Sequence, residues 1–229
     1  MEPVTYERLG AAALITIDRQ ERRNAIDGPT AELIAAAYDR FVEDDDARVL
    51  IITGAGGVAF CAGADLKAIE SFGPRLDDPR GPLGVSRVMS PKPTIAAISG
   101  WCLAGGLELA LWCDLRIATQ ESALGFPERR WGVPLVDGGT QRLPRIVGLG
   151  RALDLILTGR IVDADEALAR FPQDTMLADR RAAIEGIGLT FEDGLALEAA
   201  NGVPTQATAW AGAARFSGGE GRGGTGAGV

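Results

Sequence analysis

The 229-residue chain contains no histidine. That absence removes Ser–His–Asp and Cys–His catalysis and the commonest metal ligand together. Proton transfer near neutral pH is left to carboxylates, Lys, Tyr, Cys or water. Cysteine is scarce: Cys61, Cys102 and Cys113 are odd in number and include no CxxC pair. That usage fits reduced thiols in a cytoplasmic protein better than a disulfide framework, and their apolar neighbours mark them as packing residues. There is no run of roughly 18 apolar residues and no N-terminal signal-like segment, so neither membrane spanning nor secretion is expected. Basic residues are in the minority, 23 Lys and Arg against 31 Asp and Glu, for a net charge of −8. Phosphate contacts need a basic face, so a nucleic-acid or anionic-membrane partner is not expected. A phosphate-bearing small molecule needs only a local patch, for which Arg22, Arg23 and Lys67 are candidates.

What is present suffices for a packed domain. Apolar residues make up 46% and charged residues 24%, the balance of a globular chain. The length suits one α/β domain with a helical appendage. Residues 13–18 alternate as a strand, 49–53 and 93–99 read as buried strands, and 115–119 as another. Helical spacing predicts helices over 30–42, 104–112, 138–146 and 150–157, with Asp137 as the N-cap of the third. A further helix over 163–170 has Asp163 and Glu166 as a capping-box-like pair. Residues 74–82, rich in Pro, Asp and Arg, are expected to form a mobile loop. Helical patterns follow over 176–187, 191–200 and 205–216, and Gly-rich 217–229 reads as a disordered tail. Strands alternating with helices, then helices alone, predict an α/β core over 1–166, a helical region over 167–216 and a tail over 217–229.

Three stretches carry chemistry. Cys61-Ala62-Gly63-Ala64-Asp65-Leu66-Lys67 follows a strand and places small residues where backbone can approach a ligand. A tight turn capped by Asp65 would use the same residues. Gly105-Gly106 at a helix start offers N–H groups at the positive end of a helix dipole, although close helix–sheet packing also favours paired glycines. Glu108 stands among Leu107, Leu109, Ala110 and Leu111, and a buried acid without a purpose is uncommon. Glu128 follows Pro127, a pairing suited to the first turn of a short helix. Backbone donors at two turns and two carboxylates are the parts needed to stabilise an enolate oxygen and move protons beside it.

These stretches, in this order, resemble the enoyl-CoA hydratase/isomerase (crotonase) family. The resemblance implies an α/β fold, a spiral of ββα repeats with a helical C-terminal region. It implies an oxyanion hole from the N–H groups of Ala64 and Gly105, and Glu108 and Glu128 as catalytic residues. Ala62, Asp65 and Leu66 would line the adenine pocket, and Arg22, Arg23, Ala25 and Lys67 would lie along the CoA adenosine phosphate. The implied reaction adds water across the 2,3 double bond of a 2-enoyl-CoA thioester in fatty acid metabolism. Glu108 would orient and activate water while Glu128 exchanges the C2 proton. No metal or separate cofactor is implied, because coenzyme A is part of the substrate. A homotrimer or hexamer is implied as the assembly.

Two other readings share the pattern: an isomerase that shifts the double bond with one essential carboxylate, and a catalytically impaired acyl-CoA-binding homologue. Two departures from the family stand out. Leu135-Val136-Asp137 precedes Gly138-Gly139 where hydratases carry a Gly-rich helix entry. The joint at 167–172 skips about 25 residues, a costly deletion where connections are short. A dinucleotide-binding reading of Gly54-x-Gly56-x-x-Ala59 fails, because the required helix does not follow.

Overall fold

The computed structural model describes residues 2–164 continuously and isolated positions between 166 and 211. The chain divides into two compact units, Met1–Ala164 and Asp165–Val229. The expected joint at 167–172, the helices over 176–187, 191–200 and 205–216, and the tail over 217–229 lie wholly or largely outside the described residues.

The first unit opens with an antiparallel hairpin of β1 (Val4–Leu9) and β2 (Ala12–Ile17). It crosses through α1 (Gly28–Glu43) and then lays down three strand pairs. These are β3 (Val49–Gly54) with β4 (Ala59–Cys61), β5 (Thr94–Ile98) with β6 (Trp101–Leu103), and, after α2 (Gly105–Trp112), β7 (Leu115–Ala118) with β8 (Ala123–Gly125). Helices α3 (Gly139–Val147) and α4 (Leu149–Thr158) and strand β9 (Ile161–Asp163) follow. The first strand of each pair joins a five-stranded sheet, in the order β1-β2-β3-β5-β7. The second joins a four-stranded sheet, in the order β4-β6-β8-β9. Within each pair the chain therefore steps from one sheet to the other, which is the expected spiral. Pairing is parallel from β2 through β3 and β5 to β7, and from β4 through β6 to β8.

The turns between sheets are tight. At Gly100, between β5 and β6, φ is +65° and a Cβ would lie 2.0 Å from the Val58 carbonyl oxygen, so only glycine fits. Apolar side chains fill the space between α1 and the larger sheet: Ile34 and Phe41 meet the cluster that includes Ile15, Ile17, Leu50 and Ile52. α1 begins two residues before its predicted start, where the Asp27 carboxylate accepts the Thr30 N–H at 2.9 Å. Such a cap contributes about 1 kcal/mol.

Strands β4, β6, β8 and β9 are three residues each, too short to show an alternation. Asp163, expected to cap a helix, closes β9 against β8. The residue after it is helical, and most of the expected helix lies outside the described residues. The 74–82 segment is tied down rather than loose. Arg75 is buried, donates to the Pro82 carbonyl at 2.9 Å and pairs with Asp78 at 2.9 Å. Arg80 forks onto both carboxylate oxygens of Asp39 at 2.9 and 2.6 Å.

Candidate active site

Because β4, β6 and β8 are parallel neighbours, their C-terminal ends lie side by side at the ~4.8 Å spacing of a sheet. Each end delivers one part of the site. After β4, the Ile26 N–H donates to the Gly63 carbonyl and the Asp65 N–H to the Ile26 carbonyl, both at 2.8 Å. This parallel bridge uses the groups on either side of Ala64 and turns the Ala64 N–H to the opposite edge. After β6, Ala104 at φ 53°, ψ −129° swings the chain into α2. A non-glycine residue in such a region costs about 1–3 kcal/mol and persists where its surroundings hold it. Gly105 is the first residue of α2, where N–H groups have no intrahelical acceptor.

The two amides are adjacent. A Cβ on Gly105 would lie 3.7 Å from the Ala64 nitrogen, and one on Gly63 only 2.8 Å from the Gly105 nitrogen. The second glycine of the pair serves packing instead, since a Cβ on Gly106 would sit 2.1 Å from the Cys61 carbonyl oxygen. Gly106 thus seats α2 on β4, while a Cβ on Gly105 would meet only ordinary contacts at 3.5 Å and beyond.

Glu108 is one turn into α2 and 2% exposed. Its Oε1 accepts the N–H of Asp137 at 3.0 Å and of Gly139 at 2.7 Å. Glu128 lies in the short 3-10 turn Pro127–Trp131 that follows β8. Its Oε2 is buried without a hydrogen-bond partner among the described residues. Burial pushes the Glu108 carboxyl up to about 7; the Gly139 and Asp137 N–H groups oppose this, and the Asp137 and Glu128 charges add to it. Burial likewise pushes Glu128 up to about 7, against its own backbone N–H and Arg129.

Asp137 is not the N-cap of α3. Its carboxylate Oδ1 accepts the Leu83 N–H at 3.1 Å and the Ser86 hydroxyl, and Gly138 occupies the cap position. The side chain is drawn back toward residues 83–86, and Glu108 takes over the donors at the α3 entry.

A cavity of about 520 Å³ joins these groups. Ala64, Gly105, Glu108 and Glu128 border it together with Ala62 and Leu66, and Phe72, Leu83, Trp131 and Val136 contribute apolar surface. Five residues named from the sequence are not among its walls: Arg22, Arg23, Ala25, Asp65 and Lys67. Arg22, Arg23 and Lys67 are exposed to solvent. Ala25 is buried and its carbonyl is bound by Arg19. Asp65 is committed locally, pairing with Arg19 at 3.0 Å and accepting the Lys67 N–H at 3.0 Å. Asp65 thus caps the 3-10 turn Leu66–Ser71.

Sequence reasoning missed Phe72, Trp131 and the anchoring of Asp137 by Ser86 and Leu83. An acid beside Leu135 and Val136 was a signal of the same kind as Glu108 among leucines. Cys61, Cys102 and Cys113 are free and buried, and burial pushes the Cys61 and Cys113 thiols up to about 12. They are protonated packing groups, as expected.

The enoyl-CoA hydratase/isomerase family model matches residues 7–181. The chain belongs to this family, the crotonases. It is 38% identical over 169 residues to a short-chain-enoyl-CoA hydratase of Clostridium acetobutylicum, covering 72% of this chain and 65% of that one. It is 39% identical over 170 residues to a crotonyl-CoA hydratase of Syntrophomonas wolfei, again covering 72% and 65%. Among solved structures, enoyl-CoA hydratase EchA1 of Mycobacterium marinum matches with a TM-score of 0.68 at 32% identity, covering 94% of this chain and 96% of that one. A carnitinyl-CoA hydratase of Mycobacterium avium matches with a TM-score of 0.69 at 35% identity, covering 90% and 82%. Three curated relatives are matched over only 61–65% of their own length. No helix among the described residues is long and apolar enough to cross a membrane.

Proposed function

We propose that the protein is an enoyl-CoA hydratase, a hydro-lyase that adds water across the 2,3 double bond of a 2-enoyl-CoA thioester. One observation carries the reading: two buried carboxyls raised to about 7 share a cavity with two adjacent backbone N–H groups. The Ala64 and Gly105 amides bind the thioester oxygen, and negative charge grows there as water attacks. Each preorganised donor contributes roughly 3 kcal/mol of transition-state stabilisation.

The glutamates divide the proton work by their surroundings. Glu108 accepts two N–H bonds, which favour its ionised form, so it takes a proton from water as the oxygen bonds to C3. Glu128 has a buried oxygen without a donor, which favours its neutral form, so it gives a proton to C2. Water is added overall, and the two carboxyls return to their starting states by proton exchange.

Coenzyme A enters as part of the substrate, and no separate cofactor takes part in this scheme. Arg22, Arg23 and Lys67 lie outside the cavity as cations available to the CoA phosphates. We extend the proposal to a cytoplasmic homotrimer or hexamer working in fatty acid metabolism. Leu115 and Ile117 support the assembly: they are 59% and 63% exposed on β7, the last strand of the larger sheet. A monomer by light scattering at micromolar concentration would remove that part.

The test of the reaction is loss of conjugated thioester absorbance when chelator-treated protein meets trans-2-enoyl-CoA esters, with 3-hydroxyacyl-CoA as product. A panel of 3-enoyl-CoA esters separates hydration from isomerisation. Binding without turnover of any ester would identify an acyl-CoA-binding homologue instead.

A further inference from the structure

The turn that donates to Glu108 is itself held by a second buried group. Ser86 is fully buried and Asp137 is 2% exposed. The Ser86 hydroxyl and the Leu83 N–H, at 3.1 Å, both donate to Asp137 Oδ1. Arg142 then ties the two segments through their backbone, donating to the Asp137 carbonyl at 2.8 Å and to the Ser86 carbonyl at 2.6 Å. From this anchored turn the Asp137 and Gly139 N–H groups reach Glu108 Oε1. Asp137 also borders the cavity, and its charge acts on Glu108.

We propose that Asp137, clamped by Ser86 and Leu83, is a positioning residue that aims and charge-tunes the Glu108 carboxylate. It acts in two separable ways. Through its hydrogen bonds it fixes the turn whose N–H groups orient Glu108. Through its negative charge it disfavours ionisation of Glu108, making that carboxylate a stronger base once formed. The charged groups around the pair come from every packed element. Glu128 on the 3-10 turn adds to the effect on Glu108. Arg142 on α3 faces both acids, and Arg87 faces Asp137. The Cys61 thiol on β4 also lies within the field of Asp137. The proposal rests on the hydratase reading for its purpose, but not for its structural content.

The two effects are separated by two substitutions. In Asp137→Asn the side-chain carbonyl accepts the same two donors, so the turn is kept while the charge is lost. In Asp137→Ala the clamp is lost as well. The Glu108 carboxyl is followed by 13C NMR titration, assigned by its absence in Glu108→Gln, alongside the pH profile of kcat/KM. In Asp137→Asn, Glu108 is expected to titrate at lower pH than in the wild-type protein, with the acidic limb of the profile moving the same way. In Asp137→Ala, kcat is expected to fall about 10-fold while KM changes by less than about twofold, a loss typical of an outer partner that orients a reacting group. Wild-type titration of Glu108 in Asp137→Asn overturns the charge effect. Wild-type kcat in a folded Asp137→Ala overturns the positioning role, and the Asn variant still decides if the Ala variant does not fold. Absence of hydratase activity in the wild-type protein would end the functional reading, yet the NMR titration would still decide whether Asp137 tunes Glu108.

Discussion

Gly139, the first residue of α3, donates its N–H to Glu108 Oε1 at 2.7 Å. A side chain from one helix therefore caps the start of another, and the same carboxylate is the general base in the proposed reaction. The close fit is mutual: a Cβ on Gly139 would lie 3.0 Å from Glu108 Oε1. Structural and chemical duties fall on one carboxylate, and both can be tested.

Removing either acid should stop proton transfer without emptying the cavity. Glu108→Gln and Glu128→Gln are each expected to lower kcat for 2-enoyl-CoA hydration by at least ~10²-fold, with KM little changed. Steady-state kinetics check this. An active Glu108→Gln protein that isomerises 3-enoyl-CoA would instead mark Glu128 as the one working carboxyl.

The same burial makes Glu108 a stability liability at alkaline pH. Its carboxyl moves from an ordinary 4.5 to about 7 on folding. Between those values the folded protein binds a proton that the unfolded chain has released, so stability falls as pH rises. The contribution is fully present below pH 4.5 and is lost through pH 7. It amounts to no more than about 3 kcal/mol. Glu108→Gln keeps an oxygen for the two N–H donors and carries no charge. It should be more stable than the wild-type protein near pH 8, with the advantage shrinking toward pH 5. Urea denaturation at both pH values checks this, and an advantage that does not depend on pH would contradict it.

Neighbouring glycines should respond differently to the same methyl group. Gly106→Ala drives a Cβ to 2.1 Å from the Cys61 carbonyl oxygen, a backbone atom that cannot rotate away. A loss of about 2 kcal/mol is expected from forced overpacking. Gly105→Ala meets nothing nearer than 3.5 Å and should melt close to the wild-type temperature. Thermal denaturation of the two variants provides the comparison.

Arg19 holds the loop that carries Ala64. It pairs with Asp27 at 2.8 Å and with Asp65 at 3.0 Å. Arg19→Met leaves Asp65, 6% exposed, without its cation. Breaking a buried pair in this way costs about 3–5 kcal/mol. A lowered Tm is expected, together with faster hydrogen exchange at residues 62–65. A variant with wild-type Tm would show that Asp65 finds another partner.

Much of the site was legible in the sequence because its signals are local. Glycines at a helix start and an acid among leucines are anomalies visible within a few residues, and they mark Gly105 and Glu108, whereas Ala64 and Glu128 stand out only through the family resemblance. The longer strands β2, β3 and β5 were equally plain, since four or more β-prone residues in a row need no context. The four three-residue strands were not, because no period can be read in three positions. Nor was the commitment of Asp65 to Arg19, a partner 46 positions away.

By itself, then, the order of residues determined which groups exist at the turns after β4, β6 and β8, and excluded histidine chemistry outright. Only the tertiary structure decided that these turns are neighbours, because parallel pairing in the smaller sheet sets distant segments at one edge. It also decided that the Asp137 carboxylate turns toward Ser86 while the Asp137 N–H turns toward Glu108. The proton affinities of the two glutamates belong to the same level. They are set by burial and by the sum of fields from groups on different elements, and no local stretch of sequence contains that sum.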